Sequence, residues 1–310
     1  MGIMDYFPYP VPRAGQTQVL TQIEENWDKA DVFVICVPTS GGKTALSVAI
    51  MRWVNATKKL KTSYSAPTNI LVHQFEEAFP KTFALHRKAH YTCIHPRPMA
   101  DNCGECQLLQ EKRCPQSPYL RAVRRAHAVP WLISNTYTYL AHKLYRPVVI
   151  FDEAHNLTHI AKERAATHFW HREYDFPHGV RNYGQLLEWL KGLGDSLSPK
   201  LKLLKEQVDV HPPKYLIQKT LAPLRGKEQL CLRMIPVDVR DKCGFLWPGV
   251  GKRGKPLKNS VQKIILMSAT ISPQDICDLG LDDRKVLYLE TASPIPISRR
   301  PVHLLSLIHI

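Results

Sequence analysis

The sequence predicts an α/β fold with a parallel β-sheet, because three apolar runs end in polar residues and a glycine-rich loop follows one of them. The runs span residues 32–37, 148–151 and 264–267. Such runs are typical of strands buried on both faces, as in a parallel sheet covered by helices. Ligands bind such sheets outside the carboxyl ends of the strands. We therefore expect any catalytic site to be built from the residues that follow these runs.

The size and charge of the chain restrict its class. With 310 residues, of which 44% are hydrophobic, the chain is long enough for two or more folded subdomains. A formal charge of +15 favours a polyanionic partner, with nucleic acid as the first candidate. The N-terminal segment lacks a signal-peptide pattern, and no run is long enough to cross a bilayer. The sequence thus predicts an intracellular, cytoplasmic protein without a membrane partner.

A phosphate-binding loop is predicted between the first apolar run and the helical segment 45–53. Its candidate nucleotide-binding residues are Thr39, Ser40, Gly41, Gly42, Lys43 and Thr44. In such a loop the backbone amides and the helix N-terminus surround the phosphates, the lysine reaches the β- and γ-phosphates, and the threonine hydroxyl binds Mg2+. A glycine-rich turn without a ligand would leave the Gly-Lys-Thr order unexplained. ATP is therefore an expected ligand.

The second apolar run is followed directly by the sequence Asp-Glu-Ala-His, which contains Asp152, Glu153 and His155. There the aspartate can hold Mg2+, and the glutamate can orient and deprotonate a water that attacks a phosphate. In isolation, these four residues would equally fit a strand that ends in charges before a helix. The phosphate-binding loop upstream favours the catalytic interpretation.

Weaker signals come from polar residues near other predicted strand and helix ends. Gln16 precedes an amphipathic segment at 17–27, where its amide could read an adenine edge or be an ordinary surface group. Candidate contacts to a nucleic-acid backbone are Thr68, Asn69 and Gln74, which equally fit a capped helix start. Asn135 ends a short predicted strand at 131–135.

A metal-bearing insertion is predicted between residues 83 and 127, where the composition shifts to Cys, His, Arg and Pro. Its candidate ligands are Cys93, Cys103, Cys106 and Cys114, spaced as C-x9-C-x2-C-x7-C, with His90 and His95 as alternative ligands. This spacing fits either tetrahedral zinc or an iron–sulfur cluster, with zinc slightly favoured on spacing alone. Basic residues outnumber acidic ones around the cysteines, which would suit a phosphate backbone.

The segment 156–259 is predicted to be a second, helical insertion, with leucines at helical spacing and a basic loop at its end. The third apolar run then returns the chain to the sheet and ends in Ser268, Ala269 and Thr270. A Ser-Ala-Thr triplet has no meaning alone. It gains weight because it follows a buried strand downstream of the phosphate-binding loop and the acidic run.

Taken together, the order of these motifs resembles that of the XPD/DinG family of iron–sulfur superfamily 2 DNA helicases. The resembling segments are Thr68 to Gln74, Ser134 to Asn135, Asp152 to Leu157, 236–239, Ser268 to Thr270 and 293–301. The resemblance implies a RecA-like P-loop NTPase domain with a parallel sheet, interrupted by an iron–sulfur cluster domain and a helical Arch-like domain. The implied divisions are the first motor domain at 1–82, 128–155 and 260–292, the cluster domain at 83–127, the Arch-like domain at 156–259, and the start of a second motor domain at 293–304.

The resemblance also implies an activity, ATP-dependent translocation in the 5′-to-3′ direction on single-stranded DNA by a monomer. It assigns Lys43 and Thr44 to phosphate and Mg2+, Asp152 to Mg2+, and Glu153 to water activation. His155 and Ser268 to Thr270 would couple hydrolysis to the grip on DNA, Gln16 would read adenine, and Thr68, Asn69, Gln74 and Asn135 would contact DNA. The implied cofactors are ATP, Mg2+ and a 4Fe–4S cluster held by the four cysteines.

Two other functions stay open at this point, a nucleotide- and DNA-binding fragment without turnover and a zinc-bearing nucleic-acid translocase. The resemblance implies a second RecA-like motor domain that should begin near Pro301, and because only nine residues follow, we expect that domain to be essentially absent from this chain. Residues 305–310 match one reading frame of a transposon-end sequencing adapter, so a non-native tail is expected, with an ordinary strand over 302–310 as the alternative. We expect the chain to bind ATP weakly and to bind DNA without unwinding it.

Overall fold

A computed structural model describes most of the chain. The described residues are 1–38, 41–94, 102–106, 114–171, 179–180, 183–193, 202, 205, 215–224, 227–236 and 261–291. Thr39, Ser40 and His95 lie outside them, as do the expected second-domain start at 293–304 and the tail at 305–310.

The described segments alternate between strands and helices. The strands are β1 (Val32–Cys36), β2 (Thr62–Ala66), β3 (Phe83–Leu85), β4 (Trp131–Asn135), β5 (Val148–Asp152), β6 (Thr167–Trp170), β7 (Tyr215–Leu224), β8 (Lys227–Pro236), β9 (Lys263–Ser268) and β10 (Val286–Glu290). The α-helices are α1 (Ala14–Asn26), α2 (Lys43–Trp53), α3 (Asn69–Ala78), α4 (Pro118–Ala128), α5 (Thr136–Ala141), α6 (Leu157–Ala165), α7 (Tyr183–Gly192) and α8 (Pro273–Asp278). Short 3-10 turns span Ile3–Tyr6, Lys88–His90 and Ala154–Asn156, and a π-helical turn spans Val54–Lys58.

A seven-stranded parallel sheet, in the order β10-β1-β9-β5-β2-β4-β3, organises the first compact unit. The α/β class and the parallel sheet predicted from the apolar runs are confirmed. Strand β9 lies between β1 and β5, with Ser268 paired to Cys36 and Met267 paired to Asp152. The residues that follow these three strands are therefore brought to the same edge of the sheet.

The apolar runs form strands whose successive residues are buried, so both faces of the sheet are covered there. Residues 32–35 of β1 and 148–151 of β5 are fully or almost fully buried. Beside β1, the rings of Trp27 and Phe33 stack at a centroid distance of 5.8 Å, and Trp27 meets Trp53 edge-on at 5.0 Å. Aromatic pairs of this kind contribute about 0.5–1.5 kcal/mol beyond the area they bury. They fix α1 and α2 on the strand that leads into the phosphate-binding loop.

A second compact unit comprises residues 158–244, with 278–280 assigned to it. Its described part includes a three-stranded antiparallel sheet in the order β6-β8-β7 and the helix α7. The prediction of a helical insertion is wrong for β7 and β8, which pair with each other as antiparallel strands. Tyr215 is opposite Pro236 at one end of the pair, and Leu224 is opposite Lys227 at the other. In the sequence of β8, Leu230, Leu232 and Met234 stand at every second position, a spacing that favours a strand. In α7, two leucines stand four residues apart, a spacing that favours a helix.

None of the helices within the described ranges combines the length and apolar character needed to span a membrane.

Candidate nucleotide and nucleic-acid site

The turn from β1 into α2 requires glycine at two adjacent positions. Gly42 has a φ of 79°, in the left-handed region that favours glycine. A Cβ atom on Gly42 would lie 2.3 Å from Nε2 of Gln16, and one on Gly41 would lie 2.3 Å from Cγ1 of Val37. Both glycines therefore let the backbone turn sharply and place Lys43 at the start of α2. Of the six predicted loop residues, Thr39 and Ser40 lie outside the described residues.

Gln16 connects α1 to this loop. Its side chain is only 6% exposed, and its Nε2 donates to the carbonyl of Gly41 at 3.0 Å. Its Oε1 accepts from the backbone amide of Arg13 at 3.0 Å, which caps the start of α1. The amide of Gln16 is therefore directed at the loop backbone in the structure, and reading an adenine would require one of these contacts to change.

The amine of Lys43 lies between the two carboxylates of the acidic run. It forms a close ion pair with Oε1 of Glu153 and lies 3.6 Å from Oδ1 of Asp152. The side chains of Lys43 and Asp152 are 8% and 5% exposed. A buried cation thus balances adjacent carboxylates that would otherwise repel each other. The structure brings Lys43 and the acidic run together across β9.

Asp152 is oriented by a residue that the sequence analysis did not assign to the site. The Tyr64 hydroxyl donates to Oδ2 of Asp152 at 2.5 Å, and the Glu153 amide donates to Oδ1 at 2.9 Å. Burial, and then the neighbouring Asp152 carboxylate, raise the pKa of Tyr64 well above its ordinary value. Tyr64 therefore stays a neutral donor. The sequence places Tyr64 just before a strand end, but only the pairing of β2 with β5 brings its hydroxyl to Asp152.

Glu153 adopts an uncommon backbone conformation. Its φ of 46° and ψ of 48° lie in the left-handed region, which costs a residue other than glycine about 1–3 kcal/mol. The conformation ends β5 abruptly and begins the 3-10 turn Ala154–Asn156. It permits consecutive carboxylates, which would point to opposite faces in an extended strand, to meet the same lysine.

His155 links the acidic run to the end of β9. Its Nδ1 lies 2.8 Å from Oγ of Ser268, and its Nε2 lies 2.9 Å from Nδ2 of Asn156. Because the Asn156 amide donates to Nε2, the network assigns the proton to Nδ1, which donates to Ser268. The buried Ser268 hydroxyl also accepts from the amide of Thr270 at 3.1 Å. Ala269 and Thr270 are exposed.

A cavity of about 500 Å³ adjoins the phosphate-binding loop. Its walls include the aromatic side chains of Phe7 and Tyr9, together with the loop-side residues Gln16, Gly42 and Thr44. A mostly apolar cleft with convergent polar groups is typical of a site for a planar, polar ligand such as a nucleobase. Neither aromatic residue was assigned to the site from the sequence.

The residues predicted to contact nucleic acid do not converge on one surface. Thr68 caps α3, where its Oγ1 accepts from Leu71 N at 3.4 Å. Thr68 and Asn69 line one cavity, whereas Gln74 lines the cavity beside the phosphate-binding loop. The Asn135 amide serves the fold, accepting from Tyr137 N at 2.9 Å and donating to Pro67 O at 2.7 Å. Asn135 therefore fixes the turn that presents Thr68.

Three of the four predicted cluster cysteines are buried. Cys103, Cys106 and Cys114 are at most 4% exposed, and Cys93 is half-buried. None of the cysteines in the described ranges forms a disulfide. Within those ranges, the four thiols do not form a set whose sulfur atoms all lie within 4.8 Å of one another. Buried, reduced thiols nevertheless fit a soft metal centre better than a solvated loop.

Helix α4 presents a basic surface beside the cysteine segment. Arg121, Arg124 and Arg125 are exposed, and the guanidinium of Arg125 lies 4.8 Å from the ring centroid of Phe83. The helix begins with proline at its first turn and turns its apolar residues Tyr119 and Ala126 inward. The exposed arginines give this helix a positively charged surface.

Comparison with known protein families identifies one match. The sequence model described as "Type III restriction enzyme, res subunit" matches residues 10–174, which is more than half of the chain. The matched region includes the phosphate-binding loop, the cysteine segment and the acidic run. A search of curated proteins found no match.

Proposed function

This chain belongs to the family described as type III restriction enzyme, res subunit, a helicase-like superfamily 2 domain, and on that premise we propose that it is the motor part of an ATP-dependent DNA helicase. More specifically, we propose a helicase of the XPD/DinG type that translocates 5′-to-3′ on single-stranded DNA. The single observation that carries the proposal is the contact of Lys43 with both Asp152 and Glu153. These carboxylates follow the lysine by 109 and 110 positions in the chain.

ATP would enter where Lys43 now neutralises the acidic pair. The lysine is placed to pair with the β- and γ-phosphates in place of the carboxylates, and the α2 N-terminus adds backbone donors. Thr44 and Asp152 supply oxygen ligands of the kind Mg2+ prefers. When bound, Mg2+ would neutralise charge on the phosphates. Once its lysine partner turns to phosphate, the Glu153 carboxylate is free to orient and deprotonate water.

His155 and Ser268 would transmit the state of the nucleotide. Their hydrogen bond joins the acidic run to the segment that follows β9. The Oε2 atom of Glu153 lies 3.5 Å from His155 Nδ1. A movement of the Glu153 side chain on nucleotide binding would therefore alter the hydrogen bonds of Ser268 and Thr270. This contact supports the proposed coupling between hydrolysis and the grip on DNA.

The proposed nucleic-acid partner is supported by charge and by the match to a helicase-like family. The exposed arginines of α4 and the cavity beside Thr68 and Asn69 would contact the phosphate backbone, because cation contacts to phosphate supply most sequence-independent affinity. Gln74 and Asn135 would then act through the nucleotide cavity and through the turn at Pro67, respectively, rather than by direct contact with DNA.

We propose a 4Fe–4S cluster, not a single zinc ion, for Cys93, Cys103, Cys106 and Cys114. The cysteine spacing fits either centre. The order of the surrounding motifs, which resembles that of iron–sulfur helicases, supports the cluster. The cluster would order the segment between β3 and α4 and takes no part in hydrolysis.

The test is the binding of a labelled single strand of DNA to the full chain, followed by fluorescence anisotropy, with and without Mg·ATP. We expect the DNA affinity to depend on ATP, and we expect DNA to be preferred over RNA and over blunt duplex DNA of equal length. Lys43→Ala should remove the ATP dependence and leave the nucleotide-free affinity unchanged. Lys29→Ala, which replaces an exposed lysine on another surface, is the matched control.

Equal affinity for all three nucleic acids would contradict the DNA assignment. An ATP dependence that survives Lys43→Ala would contradict the assignment of the nucleotide site.

A further inference from the structure

Three histidines converge outside the nucleotide site. His73 lies on α3, His86 follows β3, and His90 ends the turn Lys88–His90. One ring nitrogen from each lies within 4.8 Å of the others, and in the described part of the chain this is the only group of three or more His, Cys, Asp or Glu ligand atoms that meets this distance. The rings of His86 and His90 stack at a centroid distance of 4.1 Å, and those of His73 and His86 at 4.6 Å.

The hydrogen bonding of His86 uses one of its two ring nitrogens and leaves the other able to bind a ligand. The residue is 5% exposed, and its Nε2 lies 2.9 Å from Oε2 of Glu76. A carboxylate can only accept, so Nε2 carries the proton, and Nδ1 is left with its lone pair. That Nδ1 is buried and has no hydrogen-bond partner. An orphaned polar atom in the interior costs about 1–3 kcal/mol, which favours the presence of an unseen partner.

The Glu76–His86 contact has the arrangement found behind metal-ligating histidines. Such histidines donate their other N–H to a carboxylate, which fixes the tautomer and raises the basicity of the ligating nitrogen. The charge at Glu76 also offsets a bound cation.

We propose that His73, His86 and His90 form a binding site for a divalent metal ion of the zinc class, with Glu76 as the carboxylate that orients His86. Imidazole nitrogens suit zinc, and three of them with one open position form a common zinc geometry. Tetrahedral zinc with Zn–N bonds of about 2.0–2.1 Å holds its nitrogens about 3.4 Å apart. Exposed His90 and half-exposed His73 can rotate to close that distance around buried His86.

The fourth position faces a cavity of about 560 Å³, which Thr68 and Asn69 also line. Water from this cavity would complete the coordination sphere. The ion would tie α3, which bears the predicted nucleic-acid contacts, to the segment that leads into the cysteines. This site is separate from the thiolate centre, although the sequence suggested His90 as an alternative ligand for it.

The experiment is a zinc titration of the metal-depleted full chain by calorimetry, compared with His90→Gln and His73→Gln. Both substitutions are at accessible positions, so the fold should survive, and circular dichroism checks this. The matched control is His127→Gln, an exposed histidine on α4. We expect the wild type and the control to bind one zinc more than the two variants. Glu76→Gln should keep the site with an affinity about 10–100-fold lower.

Cobalt(II) substitution separates this site from the cysteines, because thiolate ligation gives intense near-ultraviolet charge-transfer absorption and imidazole ligation does not. The proposal predicts that His90→Gln removes d–d absorption from one cobalt ion and leaves any thiolate band unchanged. Equal zinc stoichiometry and affinity in the wild type, His90→Gln and His73→Gln would overturn it, as would a cobalt spectrum that is identical in all three.

Discussion

The ring nitrogen Nδ1 of His155 lies 2.8 Å from the hydroxyl oxygen of Ser268, and this bond joins two strand ends that are adjacent in the sheet. The bond is possible because β9 is placed between the strand of the phosphate-binding loop and the strand of the acidic run. The side chain that follows β5 can thus touch the one that ends β9. No local sequence pattern contains this contact.

We predict that His155→Ala and Ser268→Ala each weaken the dependence of DNA affinity on ATP while leaving ATP affinity almost unchanged, since the ion pairs of Lys43 are with Asp152 and Glu153. Because the two residues share one hydrogen bond, the double variant should be little worse than either single one. A coupling energy of about 0.5–3 kcal/mol is expected from a double-mutant cycle. Strictly additive effects would contradict the proposed link.

We predict that Lys43→Ala and Glu153→Gln separate binding from turnover. Loss of the lysine removes a charged contact of about 1.5–3 kcal/mol, so ATP affinity measured by calorimetry should fall at least about tenfold. Glu153→Gln should retain ATP and slow single-turnover hydrolysis by about 10²–10⁴-fold, the usual contribution of a general base. Unchanged ATP affinity in the lysine variant would show that the loop does not bind phosphate.

We predict that Tyr64 makes the first unit sensitive to alkaline pH. Its pKa is raised in the folded state, so its contribution to stability is complete below the unfolded-state value of about 10 and declines as the pH rises beyond it. Urea unfolding should show a free energy of unfolding that falls above pH about 10. The fall should be shallower in Tyr64→Phe.

The same variant should be less stable at neutral pH, by about 1.5–3 kcal/mol, because Asp152 loses a hydrogen-bond donor. An identical alkaline profile for the wild type and Tyr64→Phe would assign the pH dependence to other tyrosines.

We predict that Cys93, Cys103, Cys106 and Cys114 hold one 4Fe–4S cluster. Anaerobically purified protein should contain about four irons and four labile sulfides per chain, and serine at Cys103 or Cys106 should abolish the visible absorption. Cys36→Ser and Cys277→Ser are the controls, since both cysteines lie outside the cysteine segment. Iron-free protein in which thiolates bind stoichiometric zinc would contradict the cluster.

The second compact unit contains the helix α7 and the strands β7 and β8 in a region where the sequence predicted helices. Leucine spacing predicted helices there, and it holds for α7, where Leu186 and Leu190 are fully buried. The prediction of helices is wrong for β7 and β8. Alternation of apolar residues over a few positions is a weaker signal than repeated leucines at helical spacing, and strand formation depends on a pairing partner elsewhere in the chain. The prediction for Gln16 likewise lacked the information that its amide would bond to the carbonyl of Gly41.

The sequence by itself determined the buried strands and the glycine turn at Gly41 and Gly42, because these depend on hydrophobicity and conformational freedom within a few residues. It also determined which charged side chains follow the strands, namely Lys43, Asp152 and Glu153. Only the tertiary structure decided which distant groups meet. Strand order placed Ser268 against His155, a neighbouring strand supplied the Tyr64 hydroxyl to Asp152, and packing of α3 on β3 gathered His73 and His86. These contacts depend on chain topology and on the burial of polar atoms that must find partners, and neither is encoded in local spacing.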